Sequence, residues 1–234
     1  MEIFSDFKKR VLDFENEKFS FNTNEILDNK SLHFKVSNTG SFKEFYGDTI
    51  VFDLSTDIKI QIEKIVDELY LNCSSLFAER LKTNTFHMTL HDLNNNIDLS
   101  KISSDCFLSE LKCHEIANSK SIISEPINLK SNFVFNMVNT SLVMGLIPET
   151  ETDFDKLQKL YEQFEIVKKL PYPFTPHITL GYFSCNNHKK EEIAYLFELI
   201  KKLNKKTLHV TINTKDLYYQ KFTSMNNYYS LFSF

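Results

Sequence analysis

Two short segments place a histidine and a threonine two residues apart: His87-Met88-Thr89 within TFHMTLHDL, and His177-Ile178-Thr179 within TPHITLGYF. In an extended strand, residues two apart point to the same face. Each segment therefore offers one imidazole and one hydroxyl to the same space. Imidazole titrates near neutrality, at about 6.5 when unperturbed. One of the pair can take a proton from an attacking water or hydroxyl while the other gives a proton to a leaving oxygen. Threonine hydroxyls can donate to non-bridging phosphate oxygens, where charge builds in the transition state. The set suits opening a phosphodiester without a metal. The two imidazoles must start in different protonation states, so a bell-shaped pH profile is expected.

A third triplet, His209-Val210-Thr211, weakens any single match. It lacks the strand and helix that precede the other two, and in a duplicated frame its strand corresponds to the region near Ile127 to Lys130, which has no histidine. His209 is read as an ordinary strand residue. His91 lies two residues beyond Thr89 and is expected on the same face, where it could contact substrate, orient His87, or sit solvated at a strand end; the second motif has Gly181 there. His87 and His91 cannot share one metal ion, because four residues of strand span about 13 Å. Phe86, Phe174, Tyr182 and Phe183 flank the motifs and could stack on a base or pack in the core. Tyr182 is the best substrate-binding candidate, since its hydroxyl could also reach a phosphate; His91 and Phe86 complete that set. Phe45 and Tyr46 could cover the cleft, whereas Lys130 and Lys221 read as solvated.

The elements that must carry these residues are legible from periodicity. Residues 1–45 read as an N-terminal extension, with a short amphipathic helix from Ile3 to Phe14 and then a polar, Asn- and Ser-rich stretch. Asp48 to Leu54 is β-branched and apolar, a strand. Ser55-Thr56-Asp57 is a helix start, followed by Ile58, Ile62, Ile65, Val66 and Leu69 at helical spacing, with the helix continuing towards Arg80. Thr85 to Leu93 is the first motif strand, and a helix follows within 103–118. Strands 132–138 and 141–147 form a hairpin turning near Asn139-Thr140. A helix capped by Thr152 or Asp153 runs to the prolines at 171 and 173. Then come the second motif strand, 175–183, a helix over 189–203, a strand over 207–214, and two strand-like runs near 216–223 and 227–234. The order strand, helix, His-x-Thr strand, helix occurs twice. The histidines are 90 residues apart, and Val51 and Val143 in the leading strands are 92 apart, which suggests a duplicated unit. The expected architecture over residues 46–234 is α+β: a bilobal, pseudo-twofold duplicated domain, with two antiparallel sheets facing a central cleft and helices outside.

Composition narrows the partners. The chain has 234 residues, 42% of them hydrophobic and 25% charged, with 4 glycines and 5 prolines. That is enough to bury a core and excludes a disordered or collagen-like chain. A net charge of −4 and a pI of about 6.0 argue against gripping duplex nucleic acid but allow a small nucleotide or an RNA end. Cys73, Cys106, Cys113 and Cys185 show no CxxC spacing and are expected as reduced thiols. There is no HxH or HExxH cluster, so no metal is expected. Neither a signal peptide nor a membrane span is seen, and a cytoplasmic monomer is expected. The abundance of Asn, Lys, Ile and Phe fits an AT-rich bacterial genome.

FHMTLHDL and TPHITLGYF resemble the paired signatures of the two-histidine (2H) phosphoesterase superfamily, which includes the LigT-like RNA ligase/cyclic phosphodiesterases. Both motifs are complete, and the resemblance extends over about residues 47–234. It implies a bilobal fold, no metal or other cofactor, and substrates such as 2′,3′-cyclic phosphates, 2′-5′ linkages or small cyclic nucleotides. It also implies that His87 and His177 are the acid and base and that Thr89 and Thr179 bind phosphate. Of the two, His177 is read as the base and His87 as the acid, with the roles exchanged in a ligating direction. A non-catalytic nucleotide- or RNA-end-binding protein on the same scaffold is the alternative.

Overall fold

Capping and turn chemistry set the ends of the elements. The computed structural model describes residues 2–16, 21–119, 125–186 and 188–234. The N-terminal segment forms α1 (Phe4–Asn16), α2 (Thr23–Leu27) and α3 (Lys30–Lys35). The asparagines of the polar stretch are caps: Asn22 accepts from the backbone of Asn24 and Glu25, and Asn29 from that of Leu32. β1 (Tyr46–Asp53) leads into α4 (Thr56–Cys73), whose cap is Ser55. β2 (His87–Asn96) and α5 (Ser103–Asn118) follow. β3 (Ile127–Met137) and β4 (Ser141–Pro148) make the hairpin, and Val138 and Asn139 turn it with φ of 43° and 57°. Next come α6 (Glu151–Phe164), β5 (His177–Tyr182), α7 (Lys190–Leu203), β6 (His209–Ile212), β7 (Leu217–Ser224) and β8 (Asn227–Ser233). Several bounds differ from expectation. α4 stops at Cys73, short of Arg80, β3 begins at Ile127 rather than at 132, and α6 ends at Phe164, before the prolines, and is capped by Thr150, whose hydroxyl accepts from the Asp153 amide at 3.1 Å.

The architecture is α+β, but the strands form one antiparallel sheet rather than two. Its order is β6-β3-β4-β5-β2-β1-β7-β8. Four strands lie on each side of a seam between β5 and β2, which is stitched by one backbone pair, Met88 with Ile178. Joining the halves spares both motif strands from becoming unpaired edges. The sheet is strongly curled into a half-barrel.

Side-chain alternation divides the core. On the helix-covered face, Met88, Leu90, Ile178 and Leu180 pack with Ile62, Val66 and Leu69 of α4 and Leu196 and Leu199 of α7, all nearly solvent-free. On the opposite face, Val143 lies across from both Phe135 and Thr179. There Val143, Phe133 and Phe135 form a second cluster with Phe154 and with Phe7 and Val11 of α1. Helix α1 is thus docked on the face that carries the motif threonines, through side chains whose burial contributes about 1.5–3 kcal/mol each. Among the described residues, no helix is long and apolar enough to cross a membrane.

Candidate active site

The two motif strands are neighbours and run antiparallel. Pairing Met88 with Ile178 sets His87 beside Thr179 and Thr89 beside His177. All four side chains are half-buried on the open face, while Met88, Leu90, Ile178 and Leu180 between them are buried. The structure therefore brings together the four residues that the motifs single out.

Both strands then break phase at the same place. In β2, Ile50 pairs with His91 but Val51 pairs with Thr89, leaving Leu90 as an extra residue. In β5, Leu142 pairs with Gly181 but Val143 pairs with Thr179, leaving Leu180 extra. Each is a β-bulge, and a bulge shifts the alternation by one residue. His91 consequently turns to the helix-covered face. It is 1% exposed and stacks on Tyr161 at 4.9 Å. Its Nδ1 donates to the Asp92 carbonyl at 2.8 Å, and its Nε2 faces Glu165 Oε1 at 3.2 Å. The expectation that His91 shares the face of His87 and Thr89 is corrected by this one extra residue. The positions that return to the open face are Asp92 and Tyr182.

Each catalytic candidate is oriented in the same way. His87 Nδ1 donates to the Thr85 carbonyl at 2.7 Å, and His177 Nδ1 to the Thr175 carbonyl at 2.8 Å. Because a carbonyl only accepts, Nδ1 carries the proton in both rings and Nε2 is left for proton transfer. Burial holds His87 down to about 4; the bond to Thr85 opposes this, and the nearby charge of His177 adds to it. Burial likewise lowers His177, the Thr175 bond and Asp92 oppose it, and Lys35 adds to it. Both rings are thus neutral at rest at neutral pH.

The walls come from elements far apart in sequence. The ring of Tyr228, on β8, stands edge-on to His87 with centroids 5.0 Å apart. Tyr182 packs edge-on against Phe42 at 5.5 Å and carries the Lys35 ammonium over its ring. Asp92 accepts from the Tyr172 hydroxyl at 3.0 Å. Arg10 of α1 donates from Nη2 to the Phe174 carbonyl at 2.9 Å and from Nη1 to the Thr175 hydroxyl at 3.0 Å, while Nε and Nη2 also pair with Glu2. It therefore braces the loop whose carbonyl orients His177.

Other candidates lie elsewhere. Phe86 is 1% exposed and packs in the core, because it alternates with His87; it does not line the cleft. Phe183 is fully buried against Phe77. His209 sits exposed on edge strand β6, its Nδ1 2.5 Å from Glu149, and its strand pairs with Ile127–Lys130. Among the described residues, no group of three metal-binding side chains gathers, and all four cysteines are free thiols. Sequence reasoning missed Lys35, Arg10, Asp92 and Tyr228. Only the Thr-x-His-x-Thr-Leu pattern common to both motifs hinted at the carbonyl that orients each ring.

The chain folds as one curled antiparallel sheet with a His-x-Thr at matched places on its two central strands, a fold it shares with solved structures. No protein-family model matches the chain, and no curated protein matches it in sequence. Among solved structures it is similar to ATU0111, a conserved protein of unknown function from Agrobacterium tumefaciens str. C58, with a TM-score of 0.66 and 14% identity over 88% of this chain and 99% of that one. It is also similar to TT0787 of Thermus thermophilus, with a TM-score of 0.50 and 11% identity over 80% of this chain and 96% of that one. E. coli LigT complexed with 3′-AMP superposes more loosely, with a TM-score of 0.46 and 16% identity over 82% and 98% of the respective chains. At these identities the likeness is one of fold.

Proposed function

We propose that this chain is a metal-independent phosphodiesterase that opens a 2′,3′-cyclic phosphate or a 2′-5′ phosphodiester of an RNA end or small nucleotide by two-histidine acid–base catalysis. The observation that carries this reading is the matched pair of imidazoles on adjacent strands, each tied through Nδ1 to a backbone carbonyl so that Nε2 is free. In the reaction, water attacks phosphorus and gives its proton to His177 Nε2. His87 Nε2–H protonates the departing ribose oxygen, and one P–O bond forms as another breaks. Thr89 and Thr179 donate to the non-bridging oxygens as negative charge accumulates. In the ligating direction the two imidazoles exchange roles. Because both rest neutral, the phosphate's own negative charge must help seat the proton on the acid.

The two halves are read as copies of one unit. The bulged leucines are 90 residues apart and the bulge-facing residues Ile50 and Leu142 are 92 apart, in agreement with the spacings of the motifs and their leading strands.

The test is turnover of a 2′,3′-cyclic nucleotide in EDTA by the wild type, His87→Ala and His177→Ala. Each variant should lose about 10²- to 10⁴-fold in kcat. Undiminished turnover in both variants would sink the assignment.

A further inference from the structure

Resting on that reading, we infer that Lys35, brought to the cleft by the N-terminal segment, is a substrate ligand whose ammonium binds a phosphate oxygen on the His177 side of the site.

The placement begins with the backbone. Lys35 closes α3, and its neighbours Leu32 and Val36 are 0% and 1% exposed in the main core, so the helix cannot roll. The Lys35 carbonyl accepts from Lys43 at 2.9 Å, and Val36 pairs with Phe42, closing a short hairpin. That hairpin is tied to the body of the protein where the Glu79 amide donates to Gly40 and the Phe42 amide to the Glu79 carboxylate. The side chain then has one direction to go. Its ammonium lies 5.4 Å from the ring centroids of both Phe45 and Tyr182. Tyr182, 9% exposed, returns after the bulge to the face that carries His177 and Thr179.

An ammonium has three N–H donors. This one meets two aromatic faces and, among the described residues, no carboxylate within ion-pair distance and no hydrogen-bond acceptor. Aromatic faces favour the cation but leave its donors unused, so an anion is the partner this pocket lacks. Burial pulls Lys35 below the ordinary lysine range, and the charge of Asp92 pulls the other way. An arriving phosphate would act in the same sense as Asp92 and restore the full cation. The cleft would then hold the phosphate between two threonine hydroxyls and one ammonium. The chain before β1 would be part of the binding site.

The experiment measures inorganic phosphate binding and steady-state turnover of a 2′,3′-cyclic nucleotide for the wild type, Lys35→Met, Lys35→Gln and Lys35→Arg, with thermal melting recorded for each. Expected are about ten- to hundredfold weaker phosphate binding and a matching loss in kcat/KM for the two neutral variants. Lys35→Arg should recover most of both, because a guanidinium keeps the charge and stacks between rings. A structural role alone would lower the melting temperature of all three without this split by charge. If the wild type turns over substrate but the folded neutral variants bind phosphate as it does, the Lys35 assignment falls and the phosphodiesterase reading stands. If the wild type turns nothing over yet binds phosphate in a Lys35-dependent way, the reverse holds. A wild type that binds no phosphate overturns the Lys35 assignment outright.

Discussion

Replacing Tyr228 with alanine should raise the proton affinity of His87. In the folded protein burial is the leading reason that this imidazole sits at about 4 rather than near 6.5, and the Tyr228 ring, 5.0 Å away, is an aromatic wall against it. Desolvation disfavours the charged form of histidine, so admitting water moves the midpoint upward. The full span, from about 4 to about 6.5, is roughly 300-fold in proton affinity, or about 3 kcal/mol. The bond to Thr85 and the charges of Asp53 and Asp92 already favour the cation and survive the substitution, so they assist the rise. At pH 5.5, His87 should be roughly 3% protonated in the wild type and well over half protonated in the variant if most of the span is recovered. The assay is the pH titration of the His87 ring by NMR, with the acid limb of kcat/KM measured alongside. Tyr228→Phe, which keeps the ring and loses the hydroxyl, should leave the midpoint low. A wild-type midpoint already near 6.5, or an unchanged one in Tyr228→Ala, would refute the desolvation argument.

Other perturbations test separate parts of the site. Thr89→Val and Thr179→Val should each lower kcat/KM about ten- to hundredfold at nearly unchanged melting temperature, as read by steady-state kinetics beside thermal denaturation. Arg10→Met removes the brace on Phe174 and Thr175; turnover should fall about tenfold through looser placement of His177, while circular dichroism stays native. Phe7→Ala opens a cavity beneath α1 and should cost about 3–5 kcal/mol in urea unfolding.

Much of this site can be read from the chain alone, and what cannot has specific causes. The motif residues are legible because strand geometry is local: a period of two puts His87 with Thr89 and His177 with Thr179 whatever surrounds them. The long elements are legible because their apolar periodicity spans many residues. His91 is misplaced by that same period because a bulge depends on the partner strand, and nothing in TLHDL announces that Leu90 is unpaired. Phe86 is a poor candidate for the cleft on the sequence itself, since alternation with His87 already sends it to the core. The two short helices α2 and α3 escape because each has six residues or fewer, too few for a periodic signal. Lys35, Arg10 and Tyr228 reach the motif strands only through the fold, and Tyr228 comes from the last strand of the chain. The two sheets anticipated from the repeat are one, because the motif strands meet at their edges.

The leucine inserted after each motif has an outcome for how such a protein can diversify. Inward of it, odd-numbered positions own the floor where bond-breaking is proposed; outward of it, even-numbered positions own the rim. A substitution at residue 92 or 182 therefore changes what borders the floor without altering which side chains the floor presents. Aspartate on one lip and tyrosine on the other already show two chemistries borne by one backbone plan. Selection at residue 92 can retune both imidazoles through charge while their places on the backbone stay fixed.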